Sequence, residues 1–169
     1  MATTTAEAHA HAGRGAADLG FRLDEAAELC EQQGVRFTDL RRGILALILG
    51  APGPIGAYEL LDQLRATRRG AAPPTVYRAL DFLLSQGLIH KVERLNAFVG
   101  CPDAGRHLHP VQFLICRGCG RVEELEDGSI QQAVQAAASR HGFTPALTTI
   151  EVEGNCAACA GASASPVAA

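Results

Sequence analysis

The sequence predicts an α+β chain, with an N-terminal winged helix-turn-helix domain followed by a small α/β domain that carries a four-cysteine metal site. Three observations carry this expectation. The run from Pro73 to Glu93, PPTVYRALDFLLSQGLIHKVE, reads as a sharply bounded helix that feeds straight into a strand. Short apolar-periodic segments precede it, and β-rich segments follow it. Four of the six cysteines form two C-x2-C pairs, Cys116/Cys119 and Cys156/Cys159.

Bulk properties narrow the classes. A chain of 169 residues holds one or two small domains. No apolar run approaches the ~20 residues of a membrane span. The N-terminus lacks the continuous hydrophobic segment of a secretory signal. A cytoplasmic protein with no membrane partner is expected. Net charge is −3, but it is unevenly placed. Residues 1–31 carry two Arg against six acids, residues 32–94 nine Lys/Arg against five acids, and residues 95–169 four Arg against seven acids. The basic block coincides with the Pro73–Glu93 stretch and the region before it, where phosphate contact is decided locally.

In chain order, residues 1–20 read as a flexible tail in which His9 and His11 are incidental. An amphipathic helix is expected from Arg22 to Gln33, with Leu23, Ala26, Ala27 and Cys30 inward and Gly34 ending it. Cys30 reads as a small buried residue. Thr38 suits an N-cap for a second helix through Leu49. After the break at Gly50–Pro54, a third helix runs from about Ala57 to Ala66, with Leu60, Leu61 and Leu64 inward. The fourth begins at Pro73-Pro74, where proline's missing N–H costs nothing. Val76, Leu80, Leu83 and Leu84 form its stripe, and Gly87 suits a left-handed C′ position. Off the stripe stand Thr75, Tyr77 and Arg78, groups able to bond phosphates or base edges, as on a recognition helix. Arg41, Arg42, Arg68, Arg69 and Lys91 are expected to add phosphate contacts, with Arg94 a further candidate on the wing. Leu88–Glu93 and Ala97–Gly100 flank a turn and form a two-stranded wing.

The domain scheme is therefore 1–20 tail, 21–101 winged helix, 102–110 hinge, 111–160 second domain and 161–169 tail. In that second domain, strands Val111–Ile115 and Arg121–Leu125 flank the first C-x2-C turn. Ser129 caps a helix to about His141, with Ile130, Ala133, Val134 and Ala137 as its apolar positions. Strand Leu147–Val152 leads to the second pair.

Disulfides are disfavoured in a cytosolic chain, so the paired C-x2-C motifs point to metal. Four thiolates complete a tetrahedron with no open position, which is a structural zinc site and suits zinc over a hard ion such as manganese. His90, Cys101, His107, His109, Glu123 and Glu124 form a second pool of ligand-type residues spanning the hinge. The plain alternatives are a satisfied core histidine and a solvated acidic face. Glu123 and Glu124 face opposite ways on a strand, whereas His107 and His109 face the same way. No H-E-x-x-H, Gly-rich phosphate loop or G-x-S-x-G elbow supports catalysis, and the chain is not expected to be an enzyme.

Taken together, PPTVYRALDFLLSQGLIHKVE, C-R-G-C, C-A-A-C and the hinge between them resemble the ferric-uptake-regulator family, and within it the zinc-responsive branch. The likeness extends from about Leu23 to Cys159. It implies a homodimeric repressor that binds operator DNA of zinc uptake and homeostasis genes, with the second domain mediating dimerisation. It implies a structural zinc on Cys116, Cys119, Cys156 and Cys159, a regulatory zinc on His90, Cys101, His109 and Glu124, and so two zinc ions per subunit. It makes Tyr77 and Arg78 the DNA-reading pair. Cys101 favours zinc over iron or manganese. A sibling regulator sensing iron, manganese or peroxide is the nearer alternative, and a zinc-dependent enzyme using an open site at His90 and Cys101 the remote one.

Overall fold

The computed structural model describes residues 16–102, 104 and 110–162. Helix α1 (Ala16–Gln32) starts earlier than its periodicity suggests and takes in the end of the expected tail. The reason is packing: Leu19 adds a turn to the stripe of Leu23, Ala26 and Cys30 and lies against the core. His9 and His11 lie outside the described residues. Gly34, at φ +67°, turns the chain out of the helix. Thr38 caps α2 (Asp39–Gly50), its hydroxyl accepting from the Arg41 N–H.

Strand β1 (Ile55–Gly56) was not anticipated from sequence. It pairs antiparallel with β3 (Ala97–Gly100), Ile55 opposite Phe98, so the wing sheet has three strands rather than two. Helix α3 (Ala57–Thr67) buries Leu60, Leu61 and Leu64. Helix α4 (Pro73–Ser85) buries Val76, Ala79, Leu80 and Leu83, while Leu84 is half-buried. Gly87 follows at φ +63°, and β2 (Ile89–Val92) pairs with β3 across a 3-10 turn at Glu93–Leu95.

Alternation along the wing strands divides them between two cores. Ile89 and Phe98 enter the helical core of α1 to α4. Val92, with Val99 against it, instead joins Val111, Phe113 and Ile115 of the C-terminal sheet. That sheet has three strands, the first of them central. β4 (Val111–Cys116) runs antiparallel to β5 (Val122–Glu124) and parallel to β6 (Thr149–Gly154). The parallel pair needs a crossover, and α5 (Gly128–Arg140) supplies it. Its N-cap is Asp127 rather than Ser129: the carboxylate accepts the Ser129 N–H at 2.8 Å. Of the apolar positions expected in α5, none is fully buried. A short α6 (Ala157–Ala162) ends the described chain and runs into the tail expected at 161–169.

Candidate metal centre and nucleic-acid interface

The four-cysteine cluster is assembled by two different local structures. Cys116 ends β4, and the chain turns sharply through Gly118 and Gly120, the latter at φ +71°. The Cys116 N–H bonds to the Arg121 carbonyl at 2.8 Å, closing this knuckle. In the second pair Cys156 immediately precedes α6 and Cys159 lies in its first turn, the Cys156 carbonyl accepting from Cys159 and Ala160. Spacing of i, i+3 on a helix puts Cys156 and Cys159 on one side. Arg117 N–H to the Gly154 carbonyl, 2.8 Å, ties the two halves together.

The ligand sulfurs of Cys116, Cys119, Cys156 and Cys159 all lie within 4.8 Å of one another, with Cys119 and Cys156 at 3.9 Å. Zinc–sulfur bonds of about 2.3 Å imply tetrahedral edges of about 3.8 Å, so these residues fit zinc. Electrostatics agree. The Cys116 sulfur accepts the Cys156 N–H at 3.3 Å. That bond, followed by the Cys119 N–H, brings the Cys116 thiol down to about 6. The Cys159 thiol is pushed up to about 12, because Cys156 and then Cys116 and Cys119 hold its protonated form in their hydrogen bonds. Cys116 is thus favoured as a thiolate and Cys159 as a thiol, and metal binding at Cys159 releases its proton.

The second pool of ligand-type residues is brought together in part. His90 stands opposite Val99 in the wing, so His90, Val99 and Cys101 share the face turned toward the C-terminal sheet. Glu124 stands opposite Phe113, on the sheet face turned toward the wing. His90 Nε2 consequently lies 3.9 Å from Glu124 Oε1, both side chains only about an eighth exposed. The Phe113 ring meets His90 edge-on at 6.2 Å. Cys101 is fully buried, its N–H bonded to the Leu88 carbonyl and its own carbonyl to Arg22 Nη2 at 2.7 Å. Glu123 points the other way and is exposed. His107 and His109 lie outside the described residues. The structure thus brings His90 to Glu124 and places Cys101 on the same face of the wing, whereas among the described residues only the four cysteines gather three or more ligand atoms within 4.8 Å. Arg22, which steadies the Cys101 backbone, had no sequence signal beyond its place on α1.

On the outer side of α4, Tyr77 is 43% exposed, Arg78 is exposed and Thr75 is half-buried. Arg68 and Arg69 are exposed in the loop just before the helix. The other expected cations are engaged within the chain. Arg41 lies over the Phe82 ring, 3.4 Å from its centroid, and donates to the Arg36 carbonyl. Arg42 pairs with Asp24 at 2.6 Å and with the Leu23 carbonyl, joining α1 to α2. Lys91 pairs with Glu93 at 2.5 Å, and Arg94 with Glu153 at 2.8 Å. Among the described residues, no helix is long and apolar enough to cross a membrane.

The chain is similar to known proteins in sequence and fold. The Ferric uptake regulator family model matches residues 32–153. The zinc uptake regulation protein of Escherichia coli (strain K12) is 42% identical over 137 residues, which is 81% of this chain and 80% of that protein. A solved structure of a zinc uptake regulator complexed with zinc and DNA is 40% identical, covering 86% of this chain and 97% of its own, with a TM-score of 0.82. The structure of holo XcZur is 44% identical over 85% of this chain and 99% of its own, with a TM-score of 0.77. The chain belongs to the ferric uptake regulator family.

Proposed function

We propose that this chain is a zinc-responsive transcriptional repressor, not an enzyme, and that its zinc-loaded homodimer binds operator DNA of zinc uptake and homeostasis genes. The observation that carries the reading is the likeness of fold, at a TM-score of 0.82, to a zinc uptake regulator holding zinc and DNA. The four sulfurs of Cys116, Cys119, Cys156 and Cys159, of which only Cys119 is exposed, serve the structural zinc. His90, Cys101, His109 and Glu124 serve the regulatory zinc, giving two per subunit. The contact of His90 with Glu124 supports that set.

Zinc, when bound, supplies the positive charge and directional bonds that hold donors of both domains in one coordination sphere. The residues of the chain do the rest. His90 is on the wing and Glu124 on the C-terminal sheet, so holding them together fixes the hinge. The α4 helices of a dimer are then presented at the ~34 Å spacing of successive major grooves. A shift from 1:99 to 99:1 in the DNA-competent form takes roughly 5.5 kcal/mol of preferential zinc binding. Tyr77 and Arg78 read bases, while Arg68 and Arg69, with Arg41, Arg42 and Lys91, add phosphate affinity and salt dependence. For Arg41, Arg42 and Lys91 that role requires exchanging their present partners, Phe82, Asp24 and Glu93.

The test is operator binding by the native dimer across buffered free zinc, with Arg78→Ala alongside. Binding should rise steeply with zinc, and the variant should lose ~1–3 kcal/mol of specific affinity. Zinc-independent binding of the native protein would overturn the regulatory reading.

A further inference from the structure

Glu151 of β6 reaches the tip of the wing. Its Oε1 accepts the backbone N–H of Glu93 at 2.6 Å, and its Oε2 accepts that of Arg94 at 2.9 Å. Two residues on, Glu153 receives the Arg94 guanidinium, Nε to Oε1 at 2.8 Å and Nη2 to Oε2 at 3.4 Å. Alternation puts both carboxylates on one face of β6. The register identifies that face: Glu151 is opposite Phe113 and Glu153 opposite Ile115, the residues buried against the wing. From the other side, Glu124 is also opposite Phe113.

A single cross-strand row, Glu124–Phe113–Glu151, therefore faces the wing. At one end Glu124 meets His90, and at the other Glu151 meets Glu93 and Arg94. The wing segment from His90 to Arg94 is held at both ends by one rigid row. The exposed pair Arg94–Glu153 contributes little by itself, because solvent screens it. The carboxylate of Glu151 differs. It takes two adjacent backbone N–H groups that open a 3-10 turn and have no acceptor inside that turn. Such a charge-assisted, two-point contact sets both distance and angle.

We propose that Glu151, backed by Arg94–Glu153, is a positioning residue for the wing: an interdomain clasp, independent of any metal ligand, that favours the arrangement carrying α4 in its DNA-binding placement. The inference rests on the proposed function, in which that arrangement is the zinc-loaded one. The clasp biases the hinge before zinc arrives, so less of the preference must come from the metal ligands. Removing it leaves His90, Cys101 and Glu124 in place but lowers the closed population, and more zinc is then needed for the same operator occupancy.

The experiment compares the full-length native dimer with Glu151→Ala, Glu151→Gln and Glu153→Ala, all with structural zinc content verified. Hydrogen exchange of the Glu93 and Arg94 amides at saturating zinc reads the clasp directly. Operator binding across buffered free zinc reads its coupling. Glu151→Ala should accelerate exchange at both amides and raise the zinc concentration for half-maximal binding by at least about fivefold. Affinity at saturating zinc should stay within about threefold, since excess ligand restores the closed form. Glu151→Gln, which keeps one oxygen, should fall between, and Glu153→Ala should change least. Unprotected amides in the native dimer, or a zinc midpoint within twofold of native in Glu151→Ala, would overturn the clasp. Failure of the underlying reading is seen separately, as zinc-independent binding by the native dimer.

Discussion

His90 Nε2 lies 3.9 Å from Glu124 Oε1, across the boundary between the wing and the C-terminal sheet. The contact joins β2, which follows α4 through the turn at Gly87, to the C-terminal sheet. Arg78 and His90 are a dozen positions apart, so under the proposed function a change of state at this boundary has a short path to the exposed side of α4.

The metal knuckle is tightly packed at Gly118. A Cβ there meets Cys159 Cβ at 2.8 Å and Cys159 Sγ at 2.9 Å. Gly118→Ala is expected to displace Cys159 and weaken four-sulfur coordination. Chelator competition should extract zinc from this variant at least about tenfold faster than from the native dimer, and equal release rates would contradict the proposed packing.

Helix α5 has a titratable cap. The Asp127 carboxyl is held below the ordinary carboxylate range, first by the Ser129 hydroxyl and then by the Ser129 N–H. A depressed folded value means that the cap's contribution is present above the unfolded value of about 4 and is lost as pH falls through the folded one. Asn caps as well as Asp without titrating. Asp127→Asn should therefore keep α5 at neutral pH and flatten its acid dependence, whereas Asp127→Ala should lower the melting temperature at pH 7. Circular dichroism from pH 7 to 3 checks both.

The outer face of the C-terminal sheet exposes two large apolar side chains, with Glu123 beside them. Leu114, 40% exposed, stands opposite Val152, 50% exposed. Four residues, Val92, Val111, Phe113 and Ile115, make up the buried cluster beneath. So small a core favours association with a second copy. Leu114→Glu is expected to shift the protein to monomer by sedimentation equilibrium. An intact dimer would place the subunit contact elsewhere.

Core and cap effects separate by size. Leu80 is 1% exposed at the centre of the helical core, and Leu80→Ala should cost ~2–5 kcal/mol in urea denaturation. Thr38→Ala should cost ~1 kcal/mol, the loss of one N-cap.

Local patterns were the legible part of this chain. The α4 stripe, the Thr38 cap, Gly34 and Gly87 as helix stops, and the paired cysteines each follow from neighbours within a few residues. Strand alternation sends Glu123 and Glu124 to opposite faces without saying which faces the wing; the family resemblance favoured Glu124, and the fold turns Glu124 toward His90. What escaped depends on pairing across long stretches. Ile55–Gly56 is a strand only because Phe98 and Ala97 lie beside it. Asp127 and Ser129 are both competent caps, and only geometry chooses between them. Glu151 and Glu153 look like a solvated alternation until the register with Phe113 and Ile115 turns them toward the wing.

Under the proposed function, zinc controls operator binding through ligands at the domain boundary, distinct from the four-cysteine site. Cys101→Ser tests it most directly, with zinc per subunit and operator affinity followed across buffered free zinc. The account predicts loss of one zinc per subunit, retention of the zinc held by Cys116, Cys119, Cys156 and Cys159, and loss of zinc-dependent operator binding. Normal zinc-dependent binding with the four-cysteine zinc intact would contradict it.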